Sequence, residues 1–310
     1  GRYPLEGVKH PNRLVVGSET FHHDIARNWA MVEQYPYLIG DFMWTSWDYL
    51  GEASIGAWAY DGSGVMNKPY PWLSAECGAI DLLGNPGAPA KYAAVVWGQE
   101  GGPYIGIRPV NHPGVRPVKG LWRGTNALDS WSWKYCDGTR AEVEVYADAH
   151  EVELFLNGKS LGRRRIKAFK TLFKTRYQPG TLKAVAYDSN GGVLSERELV
   201  SATGETRIAL KPEGDTVKAG ELLYLNVHLV GGNGVVESND DKTLTLTVDG
   251  GRLLGFGSAN PCTEERFDSG SYTTYYGKAL AVVQAGLESE SMQITVSGEG
   301  CQPGVLLITF

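Results

Sequence analysis

A chain of 310 residues, 42% of them apolar and 11% aromatic, has material for about two or three packed domains and is excluded from the disordered class. Its 35 acidic residues outnumber 29 basic ones for a net charge of −6, which argues against a nucleic-acid partner, and the short run Arg163-Arg164-Arg165 reads as a solvated hairpin edge. No apolar run approaches the roughly 18 residues of a membrane span, and the four scattered cysteines, without C-x-x-C spacing, predict neither a structural zinc nor an obligatory disulfide. The opening GRYPLEGVKHPNR carries no signal-peptide apolar region, so an export signal would lie upstream and localisation is left open.

In chain order, LVVGSE (14–19) predicts a buried strand that runs into a glycine, a serine and a carboxylate. DIARNWAMVEQY (24–35) repeats Ile25, Trp29 and Val32 at helical spacing, with Asp24 in the N-cap position and Pro36 as a stop. YLIGDFMW (37–44) is apolar on both sides instead of alternating, which predicts a parallel strand covered on both faces. After a glycine-rich loop, PAKYAAVVW (89–97) opens with a first-turn proline and predicts a second helix.

Residues 101–118, GGPYIGIRPVNHPGVRPV, are so dense in glycine and proline that they predict a linker with neither helix nor central strand. Beyond it the pattern turns antiparallel. Val152, Leu154 and Leu156 share one strand face, and Asn157-Gly158 supplies the positive φ values of a tight hairpin turn. Leu182, Ala184 and Ala186 repeat the scheme. After a short hinge around SATGET come Leu223, Leu225, Val227 and Leu229, then Leu244, Leu246 and Val248, then SMQITVSG and the terminal GVLLITF. So many short alternating strands predict two β-sandwiches in tandem.

Glu19 ends the first strand. In parallel α/β barrels the reacting groups sit where strands end, because the rigid strand fixes the backbone while the side chain faces an open pocket. An acid before a helix can also simply complement the helix dipole. The next strand runs into WTSWDYLGE, where Trp44, Trp47 and Tyr49 crowd the equivalent rim beside Asp48 and Glu52. Flat aromatic faces beside a carboxylate suit a sugar ring, whose C–H groups pack on an indole while its hydroxyls take polar partners. Trp29, Trp47 and Trp58 read as core.

VVGSETF, YLIGDFMWTSWDYLGEA and YPWLSAECGAIDL together resemble the last two strand-helix units of the catalytic barrel of glycoside hydrolase family 2, in its bacterial β-galactosidase and β-glucuronidase branch. EVEVYADAHEVELFLNGKSLGRR and YQPGTLKAVAYD resemble the β-sandwich after that barrel. LLGFGSANPCTEERFDSGSYTTYYGKALAVV resembles its terminal immunoglobulin-like domain. The resemblance implies a multidomain α/β plus all-β chain: the C-terminal part of a TIM (β/α)8 barrel over 1–100, a linker over 101–118, a β-sandwich over 119–203 and an immunoglobulin-like β-sandwich over 204–310.

The same resemblance implies a retaining exo-β-glycosidase working without metal or organic cofactor. Glu19 aligns with the nucleophile that forms a covalent glycosyl-enzyme, and Trp44 aligns with an aromatic residue lining the sugar subsite. His22 and Asp48 join Trp44 as expected substrate-binding residues, with support of the pocket as the alternative role for Asp48 and Glu52. In the family the acid/base glutamate follows an asparagine on an earlier strand, about 5 to 5.5 Å from the nucleophile. No Asn-Glu pair occurs here, and a complete barrel takes about 250 residues.

The expectation is therefore a C-terminal portion, inactive by itself. Its partners would be a β-linked sugar and the remaining barrel with its acid, or else a homo-oligomer that covers the exposed strands. Galactosides lead as substrates, because the β-glucuronidases of the family share an Asn-x-Lys grip on the sugar carboxylate and Asn67-Lys68-Pro69 lacks the spacer. A carbohydrate-binding or spacer module is the alternative, resting on Trp122, Trp131 and Trp133 as exposed platforms, although tryptophans of such strands more often pack buried between sheets.

Overall fold

A computed structural model describes residues 3–214 and 216–309, so position 310 of the expected last strand lies outside the described residues. The chain divides into two compact units, Gly1–Asp129 with Gly138–Leu199, and Ser130–Asp137 with Val200–Phe310. The fold is mostly β-sheet.

The first unit opens with α1 (Tyr3–Lys9), β1 (Val15–Thr20), a 3-10 turn (His22–Asp24), α2 (Ile25–Gln34) and β2 (Leu38–Met43). Next come β3 (Trp58–Ala59), α3 (Ala88–Val96), β4 (Tyr104–Ile107), β5 (Val118–Lys119) and β6 (Arg140–Tyr146). It ends with β7 (Glu151–Leu156), β8 (Lys159–Arg165), β9 (Lys170–Arg176), β10 (Thr181–Tyr187) and β11 (Val193–Val200).

β1 and β2 pair in parallel, Val15 opposite Leu38 and Thr20 opposite Met43, with α2 as the crossover. Two parallel neighbours cannot be joined by a tight turn, so the helix is the connection geometry demands. Asp24 precedes α2, but its carboxylate pairs with Arg27 at 2.8 Å and does not cap the free amides. Ile25 and Trp29 of α2 pack with Ala93 and Val96 of α3, Tyr104 and Tyr146 in one apolar cluster.

Two expectations are corrected here. β2 was expected to be covered on both faces, yet Ile39 is 60% exposed and Phe42 66%, because among the described residues α2 covers one side only. The expected linker contains β4, all four of whose residues are buried, and Tyr104 pairs opposite Tyr146. As the outer strand of the sheet β4-β6-β9 it needs ladder partners on one side only, which a glycine- and proline-rich segment can satisfy.

The second sheet of this unit has the order β11-β10-β7-β8. Val152 and Leu154 of β7 and Leu182 and Ala184 of β10 are fully buried. Asn157 at φ +49° and Gly158 at φ +78° turn the chain from β7 into β8, in the left-handed region this two-residue hairpin requires.

The second unit holds β12 (Arg207–Pro212), β13 (Leu222–Val230), β14 (Thr243–Asp249), β15 (Gly251–Gly257), β16 (Ser271–Thr273), β17 (Lys278–Ala285), β18 (Ser291–Gly298) and β19 (Gly304–Thr309). Its two antiparallel sheets, β12-β13-β17-β15 and β16-β14-β18-β19, enclose Leu223, Leu225, Val227 and Leu229 with Leu244, Leu246, Phe256 and Tyr272. Trp131 and Trp133 are 1% and 0% exposed within this unit, in line with the reading of buried tryptophans and against the alternative of exposed platforms. The intervening Ser132 donates a hydrogen bond to the Glu237 carboxylate at 2.7 Å, which fixes the segment in the interior and leaves no ring for a sugar.

Candidate active site

The site lies wholly in the first unit, at the C-terminal ends of β1 and β2. Glu19 is exposed on the penultimate residue of β1, and among the described residues its carboxylate has no hydrogen bond or ion pair. Its neighbours hold the strand end rigidly. Asp41 Oδ2 of β2 accepts from Asn28 Nδ2 of α2 at 3.1 Å. The Thr20 hydroxyl lies 3.1 Å from both that oxygen and the Phe42 carbonyl, its one proton shared between them. Gly17 is demanded by this packing, since a Cβ there would meet Asp41 Oδ1 at 2.2 Å and the Tyr3 hydroxyl at 2.7 Å.

Trp44 follows β2, its backbone amide bonded to the Thr20 carbonyl at 2.9 Å, so the two strand ends form one rim. The Trp44–Thr45 peptide is cis. The Trp44 indole N–H donates to the Tyr49 hydroxyl at 3.3 Å, and the two rings meet edge to face at 5.9 Å. Tyr49 donates in turn to Glu52, and its own proton is held above the ordinary tyrosine range, chiefly by burial and then by that carboxylate. Glu52 is thus a brace for the aromatic pair. Beneath it Trp44 packs with Trp122 against Ile55, Ala75 and Cys77.

Asp48, expected as a sugar ligand, is committed elsewhere. Its Oδ1 accepts from the amides of Cys77 at 3.1 Å and Gly78 at 3.2 Å. The backbone of the same turn is laced to that loop, Ala79 N to Thr45 O at 2.9 Å and Ile80 N to Ser46 O at 2.8 Å. WTSWDYLGE and YPWLSAECGAIDL are therefore two halves of one structure. Burial pushes the Asp48 carboxyl up, while its hydrogen bonds oppose the shift.

His22 is likewise interior, at 2% exposed. Its Nε2–H donates to the Thr45 carbonyl at 3.2 Å, tying the loop after β1 to the loop after β2, while Nδ1 has no partner among the described residues. Burial lowers its pKa to about 4, so the imidazole is neutral at pH 7. The cavity that His22 lines with His23, Tyr92 and Glu144 measures about 30 Å³, far below the about 300–1,000 Å³ of ligand pockets.

Sequence reasoning missed Asp41, Glu76 and Arg123. Glu76 stands at φ +55° beside the Asp48 clamp and pairs with Arg123 Nη1 at 3.3 Å. Burial raises its pKa to about 7, Arg123 opposing and Asp48 reinforcing the shift. The only available signal was an acid inside an apolar strand, Asp41 in LIGDFM. Lys68 of the Asn-Lys-Pro run lies 4.1 Å over Trp72 with Asp61 at 3.8 Å, its side chain 10% exposed. Among the described residues no group of three or more His, Cys, Asp or Glu side chains could hold a metal ion.

Comparison with known proteins finds matches to two parts of the chain. Residues 208–306 match the profile described as glycoside hydrolase family 2 C-terminal domain 5, and residues 138–195 match a domain of unknown function, DUF4982. The chain is similar to the β-galactosidase BoGH2A of Bacteroides ovatus, 27% identical over 288 residues that cover 90% of this chain and 29% of that protein. It is also similar to the crystal structure of a glycosyl hydrolase family 2 member from Bacteroides cellulosilyticus, with TM-score 0.89 and 29% identity over 99% of this chain and 40% of that one. A β-glucuronidase of glycoside hydrolase family 2 shares the fold at TM-score 0.67 and 15% identity, over 93% of this chain and 27% of that one. The chain thus spans well under half the length of these relatives.

Proposed function

We propose, on the premise that this chain belongs to glycoside hydrolase family 2, that it is the C-terminal portion of a retaining exo-β-glycosidase with Glu19 as nucleophile. In this reading β1, α2, β2 and α3 are the last two strand-helix units of a (β/α)8 catalytic barrel. The observation that carries it is the exposed, unbonded Glu19 at the C-terminal end of β1, on the same rim as the braced Trp44 after parallel β2. Leu14, Val16, Ile39 and Phe42, each 43% exposed or more, are apolar surface that the remaining barrel would cover.

Glu19 attacks the anomeric carbon as the glycosidic C–O bond breaks, and an acid from the remaining barrel gives its proton to the leaving oxygen. That group then takes a proton from water, whose oxygen displaces Glu19 and restores the starting configuration. Trp44 supplies the apolar face on which the ring rests, held in orientation by Tyr49 and Glu52. His22 and Asp48 act as positioning residues for the rim. β-Galactosides are the favoured substrates, because Lys68 is sequestered over Trp72 and offers no cation to a uronate, and because the similar B. ovatus protein is a β-galactosidase.

The test uses the full-length protein with an aryl β-galactoside, an aryl β-glucuronide and a 2-deoxy-2-fluoro-β-galactoside carrying a good leaving group. Turnover of the first and a covalent label on the Glu19 peptide are expected by mass spectrometry. A label on another carboxylate sinks the nucleophile assignment. Turnover of the glucuronide alone sinks the substrate.

A further inference from the structure

The segment 159–176, KSLGRRRIKAFKTLFKTR, contains eight lysines and arginines and no acid, in a chain whose net charge is −6. It forms β8, a tight turn and β9, and all eight cations are exposed. β8 is the outer strand of one sheet of the first unit and β9 the outer strand of the other, so the cations line two adjacent free edges. The backbone beneath them is stiff. Lys167 and Lys170 exchange amide bonds of 3.1 Å across the turn, and Arg164 Nη1 donates to the Leu172 carbonyl at 3.0 Å, joining β8 to β9.

Few of these charges are neutralised. Arg163 pairs with Glu151 at 2.9 Å and Lys174 reaches Glu142 at 3.9 Å. Among the described residues Lys159, Arg164, Arg165, Lys167, Lys170 and Arg176 make no ion pair. Protecting a sheet edge from pairing with another chain needs only an occasional charge. Six cations without an ion pair on one rigid rim concentrate a positive potential that attracts a polyanion.

We propose that the β8–β9 rim binds an anionic polysaccharide, one bearing sulfate esters or uronate carboxylates. Side chains on one face of a strand recur every ~7 Å, a fixed spacing suited to a polymer that repeats its charge. Guanidinium groups grip sulfate and carboxylate oxygens through paired N–H donors. Two rings of the rim are covered by its own cations and are poor platforms for stacking bases: Phe173 is buried under Arg164, and Arg163 lies 3.6 Å over the Tyr187 ring. The choice of a glycan among polyanions rests on the glycosidase reading, in which the rim would hold the enzyme on a polymeric substrate or matrix.

The full-length protein is to be titrated with dextran sulfate, polygalacturonate, neutral dextran and double-stranded DNA, the first two separating sulfate from carboxylate recognition. Binding to at least one anionic glycan is expected, weakening about tenfold or more between about 50 and 200 mM salt. The triple variant Lys159→Glu, Arg165→Glu, Lys167→Glu should weaken it a further tenfold or so while aryl-glycoside turnover stays unchanged. The milder triple glutamine variant serves if the glutamate one fails to fold, with the same loss in smaller measure. Unchanged binding in a folded variant, equal affinity for neutral dextran, or DNA bound as tightly as the anionic glycans overturns the proposal. Because binding is read separately from turnover, an inactive protein that still binds would overturn the glycosidase reading and leave the rim standing.

Discussion

The sandwich of the second unit and the rim at the ends of β1 and β2 are held by different forces. In the sandwich, β13, β14 and β18 bury every second residue, with Leu223, Leu225, Val227 and Leu229 at 3% exposure or less. Apolar burial of this kind is non-directional and scales with area. The rim is built from directional contacts: Thr20 to Asp41, His22 to Thr45, Asp48 to Cys77 and Gly78, Tyr49 to Glu52. Glu52 and Glu76 even adopt positive φ angles of 43° and 55°. A core of the first kind accepts any apolar group of similar volume, whereas a network of the second kind fails when one partner is removed.

Substitutions at matched positions break this comparison apart. The largest effect is expected at Glu19, where Glu19→Gln in the full-length protein should cut aryl-galactoside turnover by about 10⁴-fold and leave the melting temperature unmoved. A loss of turnover that tracks a lowered melting temperature would mean that Glu19 holds structure. Next comes Phe256→Ala in the sandwich, expected to cost about 3–5 kcal/mol in denaturant titration through transfer and cavity terms. A cost below about 1 kcal/mol would show a core that collapses freely.

Asp48→Ala should cost about 1–3 kcal/mol, because the amides of Cys77 and Gly78 lose their acceptor. The same change at Glu19 should be neutral to stability, and that contrast separates a bound carboxylate from a free one. The last effect concerns pH. Glu76 has its carboxyl raised from 4.5 to about 7, so the folded state takes up a proton that the unfolded state has released. Its contribution is complete below pH 4.5 and is lost as pH rises through 7, at most about 2–3 kcal/mol between pH 5 and 8. Glu76→Gln should flatten that part of the stability profile, and an unaltered slope would point to another group.

How far each region could be read in advance follows from the same difference. Alternation at Val152, Leu154 and Leu156 and the Asn157-Gly158 turn are local signals, and β7, its turn and β8 formed at those positions. β4 escaped notice because four consecutive buried residues carry no period and sit among glycines and prolines. In the site, the position of Glu19 after a strand was legible, as was the aromatic crowding after β2. A supporting role for Asp48 was among the readings, but its partners and those of His22 were not legible, since they lie about 30 and 23 positions away in chain order. Burial of Trp131 and Trp133 between sheets was the preferred reading of their strand-like run, though which residues cover them was invisible from the run itself.

By itself the amino-acid order determined the local elements, namely strands of period two, a helix after each of the first two strands, turns at residues that tolerate positive φ, and a carboxylate at a strand end. These depend on neighbours along the chain, where propensity and periodicity act. Only the tertiary structure decided which acids are free and which are bound, which indoles face solvent, and that two cationic strands share one rim. Those outcomes depend on groups brought together from distant positions, and burial or a hydrogen bond exists only once both partners are in place.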